Sequence, residues 1–378
     1  MTQAEFRARH YRTGKPVLVR CDRGVITGID PASGLEPQDS WVAPALVDLQ
    51  VNGFAGVDFQ KDNLSPDQLL AAARGLRAAG CSRFLLTLVT DHWPKLTRRL
   101  ATLRALRSSS EELSQAVAGW HVEGPFLSGQ PGYAGAHDPA LMLDPTPQHI
   151  RDLRAVSGDD PLLLTIAPER PGALDAIQAA RSAGIRVSLG HTNATADILS
   201  RAVAAGAAGF THLGNACPQQ LDRHDNILWR VLDTPGLTVS LIPDRTHVSP
   251  ALFRLVHRAL GADAVVYTTD AMAAAGAPPG RHTLGPLELE VGADEVVRQP
   301  GRTNYAGSAL RPIDGVRRAA EMLGCQWQDV WDGFSTRPAS FLGMAHGLNP
   351  GCPADFCLLQ TDAANRIQSW RVFASGTP

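Results

Sequence analysis

Eight short β-prone runs recur through the middle of the chain with helical patterns between them, and this alternation constrains the fold more than any other feature. The runs are Ala45–Val51, Arg83–Thr87, Gly119–Glu123, Leu162–Ile166, Arg186–Gly190, Gly209–Leu213, Thr238–Ile242 and Ala264–Thr269. Parallel strands need a crossover between them, so strands alternating with helices imply a parallel sheet. Eight such units describe an α/β fold of the (β/α)8 barrel type better than an open sheet. The helices carry their own signals. Ser65 before Pro66 predicts a helix start, with a stop near Gly80; Asn193–Asp197 opens a second that ends near Gly206, and Ser249-Pro250 a third that ends at Gly261.

The two ends of the chain read differently. Val17–Arg20 and Gly24–Gly28, then Asp355–Leu359 and Ile367–Phe373, are strand-like but hold too few apolar residues for separate cores. They are expected to pair as a small β-sandwich domain of residues 1–43 and 349–378, beside a barrel of residues 44–348. A formal net charge of −2 over 378 residues provides no basic field for nucleic acid or an anionic membrane. No apolar run approaches the roughly 20 residues of a membrane span, and Met1–Arg7 has no apolar leader core. Six scattered cysteines without a CxxC pair fit a reducing compartment. The expectation is a soluble, cytoplasmic protein.

Four of the eight runs carry an ionisable residue at or next to their last position: Glu123, His191, His212 and Asp270. Each alone has an ordinary explanation, as a turn cap or a loop-bonded imidazole. Together they fall at strand C-termini, where barrels of this kind carry their chemistry. Two histidines and a glutamate leave a fourth position open, which is the donor set of a catalytic zinc site. An ion there would bring the pKa of a bound water to about 7 and so supply hydroxide, with Asp270 as general base and acid. His137 and His247 lie in loops after strands and could either touch substrate or cap a helix. His121 reads as a core or surface residue, Cys217 as a half-buried thiol, and Asp48, Asp58 and Asp138 as turn or cap residues.

The motifs HVEGPF at 121–126, Gly135-Ala136-His137, GHTNAT at 190–195, THLGNA at 211–216, TDAMAAAG at 269–276 and Ala306-Gly307-Ser308 occur in an order that resembles the N-acetylglucosamine-6-phosphate deacetylases of the amidohydrolase superfamily. The resemblance covers nearly the whole chain. It implies that Glu123, His191 and His212 bind one divalent ion, zinc by expectation, with iron, manganese or cobalt as alternatives. It also implies that Asp270 is the acid/base residue and that His137 polarises the acetamide carbonyl. His247 would contact the sugar, Asn215 and the backbone of Ala216 would lie near the phosphate, and Ser308 would stand among the substrate-binding residues. Arg223 would grip the phosphate from a neighbouring subunit, implying a homodimer.

Departures from the pattern bear on specificity. Many amidohydrolases begin the barrel with His-x-His, whereas this chain has Gln50-Val51-Asn52, and amides are poor ligands for a second transition-metal ion. The loop Asp222-Arg223-His224-Asp225-Asn226 places two carboxylates beside the implied phosphate-gripping arginine, where relatives usually have Pro-Gly, and their charge would oppose a dianionic phosphate unless Arg223 or His224 masks it. Gly214 replaces an aromatic residue. The implied reaction is hydrolysis of N-acetylglucosamine 6-phosphate to glucosamine 6-phosphate and acetate. The alternatives are a galactosamine-type or unphosphorylated N-acetyl sugar, or a sugar-binding relative without activity.

Overall fold

The computed structural model describes residues 3–32, 40–301 and 305–375. All eight expected barrel strands are present, as Leu46–Val51, Cys81–Val89, Val117–Glu123, Leu162–Ile166, Arg186–Leu189, Ala207–Phe210, Thr238–Leu241 and Val265–Tyr267. They form one parallel sheet in sequence order. Among the described residues no ladder joins the first and last strands; an isolated bridge links Val51, the last residue of the first, to Ala271, past the end of the last. Asp48 spans this seam. It is fully buried within the first strand and bonds Thr268 and Thr269, so the turn or cap role expected from its type is incorrect.

Local signals account for the helices. Ser65 accepts from the Gln68 amide and the Gln68 side chain returns to the Ser65 N–H, a capping box that starts Pro66–Ala78. Thr195 caps Ala196–Ala205, and Ser249 caps Pro250–Leu260. Inside the barrel, Leu49, Leu85, Leu163 and Val266 make an apolar layer. A polar chain runs beside it: His121 Nε2 lies 2.8 Å from Thr165 Oγ1, which lies 3.0 Å from Thr211 Oγ1, which donates to Ser188 at 2.8 Å. His121 is thus a bonded core residue, two positions before Glu123 and on the same face of its strand.

The β-sandwich expected of the termini takes the form of one continuous six-stranded sheet. Its order is 367–373, 356–361, 40–44, 4–10, 16–22 and 25–31, antiparallel except between 4–10 and 40–44. Phe6 packs edge-on against Phe356 and Phe373, joining the two ends of the chain. Residues 1, 2, 33–39 and 376–378 of that expectation lie outside the described residues. A second small sheet was not foreseen. Strands Gly280–Leu284, Leu287–Val291 and Val297–Arg298 follow the last barrel strand and bury Leu284, Leu289, Val291 and Val297 against Met272 and Ala306. The Leu287-Glu288-Leu289-Glu290-Val291 alternation after Gly285-Pro286 is the signal that marks it.

Candidate active site

The four strand-end residues converge at the barrel mouth. His212 Nε2 lies 2.8 Å, and His191 Nε2 3.3 Å, from the same Glu123 oxygen. The side chains of all three are 4 to 5 % exposed, and their donor atoms lie within 4.8 Å of one another. The backbone is as unusual as the cluster. His191, His212 and Asp270 hold φ of 51°, 34° and 51°, a region that side-chain-bearing residues adopt only when their surroundings enforce it. Gly124, directly after Glu123, has φ of 97°, and a Cβ there would meet Thr90 Oγ1 at 2.1 Å. Only glycine suits that position.

The hydrogen bonds around the histidines suit a divalent cation. His191 Nδ1 is 2.9 Å from the Tyr133 carbonyl, so Nδ1 carries the proton and the Nε2 lone pair faces Glu123. Donation from the second ring nitrogen to a backbone carbonyl is the usual support of a metal-bound histidine. His191 Nε2 and His212 Nδ1 are buried without a hydrogen-bond partner. Burial alone would raise the Glu123 carboxyl, but the His191 and His212 imidazoles outweigh it and hold it well below the usual carboxylate range. For His212 burial works downward, and Glu123 and Asp270 outweigh it to raise the ring. The donor set therefore fits one divalent ion.

Asp270 occupies the other side of the mouth. Burial first, and the Glu123 charge second, push its carboxyl up to about 7, against the pull of His212, His247 and Asn52. Its Oδ1 accepts from Asn52 Nδ2 at 2.7 Å, while Gln50 Nε2 donates to Glu123 at 2.9 Å. The two amides that stand where many amidohydrolases have His-x-His thus each hold a site carboxylate. Reading them only as missing metal ligands overlooks that role.

His137 joins this cluster. Its Nε2 lies 3.8 Å from Glu123, and its Nδ1 contacts Thr90 Oγ1 at 2.8 Å and accepts from the Thr90 N–H at 3.4 Å. An accepting Nδ1 leaves the proton on Nε2, facing the site. Burial and the neighbouring His191 lower its pKa to about 3, keeping the ring a neutral donor. His247 Nδ1 sits 2.5 Å from Asp244 Oδ2, leaving Nε2 as its unused nitrogen. Asp244 would be raised by burial, but the His247 hydrogen bond and charge hold it below its ordinary value.

The remaining expected residues divide. Asn215 is half-buried, with its Nδ2 donating to the His212 carbonyl at 3.2 Å, and Ala216 follows at φ of 50°. Ser308 is 2 % exposed; its hydroxyl donates to the Thr269 carbonyl at 2.6 Å and accepts from the Leu310 N–H. That hydroxyl thereby braces the Asp270 turn. Arg223 is exposed, and its guanidinium has no ion-pair partner among the described residues. Asp222 Oδ1 accepts from the His224 and Asp225 amides, and Asp225 pairs with Arg230 Nε at 2.6 Å. The two carboxylates expected to oppose a phosphate are thus engaged by backbone amides and by Arg230, not by the side chains of Arg223 or His224.

Sequence reasoning missed Glu169. It follows the fourth barrel strand, accepts from the Asn193 amide at 2.9 Å and from the Thr192 hydroxyl, and so holds the segment after His191. An acidic residue just past a strand end was the available signal.

No family model matches the chain. Among curated proteins, N-acetylglucosamine-6-phosphate deacetylase of Mus musculus is 34 % identical over 330 residues, covering 84 % of this chain and 79 % of the relative. The chain belongs to the N-acetylglucosamine-6-phosphate deacetylase family. It is thus a metal-dependent hydrolase of the amidohydrolase superfamily. N-acetylgalactosamine-6-phosphate deacetylase of Escherichia coli O157:H7 is 33 % identical, covering 91 % of this chain and 90 % of the relative. Among solved structures, a mutant N-acetyl-D-glucosamine-6-phosphate deacetylase from Mycobacterium smegmatis in complex with N-acetyl-D-glucosamine-6-phosphate is 30 % identical. It superposes with a TM-score of 0.88 and covers 100 % of this chain and 99 % of that one.

Proposed function

We propose that this protein hydrolyses N-acetylglucosamine 6-phosphate to glucosamine 6-phosphate and acetate, with one zinc ion held by Glu123, His191 and His212. The observation that carries the reading is the pairing of that buried donor set with a second carboxylate, Asp270, across one mouth. When bound by these three residues, the ion would supply Lewis-acid chemistry, polarising the acyl oxygen and making water at the site more acidic. Asp270, oriented by Asn52, takes a proton from the attacking water and delivers it to the departing amine nitrogen. His137, with Thr90 holding its tautomer, donates from Nε2 to the acyl oxygen as negative charge builds there. His247 Nε2 orients the sugar, and Asn215, the Ala216 backbone and Arg223 receive the phosphate.

The exposed Arg223, whose guanidinium has no ion-pair partner among the described residues, beside the 41 % exposed Trp229, supports a homodimer in which Arg223 serves the neighbouring site. Six unpaired cysteines, three of them buried, support a cytoplasmic setting.

A second reading, N-acetylgalactosamine 6-phosphate as substrate, is favoured by the similarly identical galactosamine-type relative. A panel of both N-acetyl hexosamines, with and without the 6-phosphate, tests the proposal through acetate release. The glucosamine-type phosphate should give the highest kcat/KM. A higher value for the galactosamine isomer would move the assignment to it, and equal values with and without phosphate would remove the phosphate role.

A further inference from the structure

Asp48 lies in the middle of the first barrel strand with no exposed surface, a costly place for a carboxylate. Four donors satisfy it. Oδ1 accepts from the Gln50 N–H at 3.1 Å and Thr268 Oγ1 at 2.6 Å; Oδ2 accepts from Thr269 Oγ1 at 2.6 Å; the Thr269 N–H is shared between the two oxygens at 3.2 and 3.1 Å. Three of the four come from the two residues directly before Asp270.

Burial pushes Asp48 up to about 6 against all of these hydrogen bonds. Closing the seam between the first and last strands does not by itself call for a buried carboxylate, since apolar packing serves at least as well. What a carboxylate adds is direction: it grips both hydroxyls and one amide at a single point, fixing the backbone from which Asp270 leaves at φ of 51°. Ser308 holds the opposite side of the same turn, through the Thr269 carbonyl and by donating its N–H to the Asp270 carbonyl at 2.8 Å. Just past the end of the strand that carries Asp48, Asn52 sets the Asp270 carboxylate itself.

We propose that Asp48 is a positioning residue for Asp270, acting through Thr268 and Thr269 across the barrel seam. This rests on the reading of Asp270 as the acid/base residue. The test is a double-mutant cycle on the zinc-loaded full chain, with kcat, KM and bound zinc measured for Asp48→Asn, Asp270→Asn and the pair. Asp48→Asn should lower kcat about tenfold to 100-fold, as loss of a supporting partner does in comparable sites, with zinc content retained and KM within about twofold. In the Asp270→Asn background it should change the residual kcat by less than about twofold.

Equal losses in both backgrounds, or a loss that follows zinc content, would overturn the proposal. A wild-type rate for Asp270→Asn would instead sink the role of Asp270. Should Asp48→Asn not fold, Thr269→Val removes one of the same bonds and carries the same cycle, with the same non-additivity expected and additivity again decisive against it.

Discussion

The floor of the site and its rim are built on opposite plans. On the floor, Glu123, His191 and His212 are nearly inaccessible, each is held by hydrogen bonds from another element, and three of the four key residues, counting Asp270, sit at enforced backbone angles. The rim from Asp222 to Asp225 is exposed throughout and is held by a turn closed on Asp222 and one exposed ion pair. Positions on the floor are determined many times over, so loss of one donor leaves buried partners unsatisfied. Rim contacts are screened by water and replaceable. On the proposed function, the chemistry falls to the floor and the choice of substrate to the rim.

The largest effect should come from Glu123→Gln, which removes the one anionic ligand. Zinc binding, read by chelator competition, should weaken by more than the roughly 100-fold that loss of a supporting partner costs. Near-native affinity would mean that the cluster is not the metal site. Next comes Asp270→Asn, which should keep its zinc and lose about 100-fold to 10,000-fold in kcat; a loss below about tenfold would remove Asp270 from proton transfer.

On the rim, Arg223→Ala should raise KM for the phosphorylated sugar about tenfold or more, by losing a charge-assisted contact. The rate on the free sugar should not change, and a parallel loss on both would place Arg223 in the floor's category. The smallest change is expected from Asp225→Asn. Its pair with Arg230 is exposed, so KM should move less than about fivefold, and the difference should vanish in high salt. A larger, salt-independent effect would show that the rim is as rigid as the floor.

The floor was largely legible in the sequence because a barrel converts strand ends into neighbours: Glu123, His191, His212 and Asp270 lie far apart in the chain and meet by topology. Side-chain partnerships were harder to see. Gln50 and Asn52 were visible as departures from His-x-His, but that they donate to Glu123 and Asp270 depends on the sides of the mouth those carboxylates occupy. Asp48 resembled a turn residue because residue type says nothing about an unladdered seam beside its strand. Ser308 stood in a matching motif, yet its hydroxyl is turned onto the backbone. For the rim, charge counting suggested repulsion at Asp222 and Asp225, whereas local hydrogen bonding and Arg230, five residues on from Asp225, had already engaged both.

The central claim is that this floor performs metal-dependent deacetylation. Acetate release from N-acetylglucosamine 6-phosphate by the purified protein, measured before chelation, after chelation and after zinc is restored, tests it most directly. The account predicts one acetate per glucosamine 6-phosphate formed, loss of activity on chelation and its recovery with zinc. Tight binding of the sugar phosphate by the zinc-loaded protein with no acetate released would contradict it.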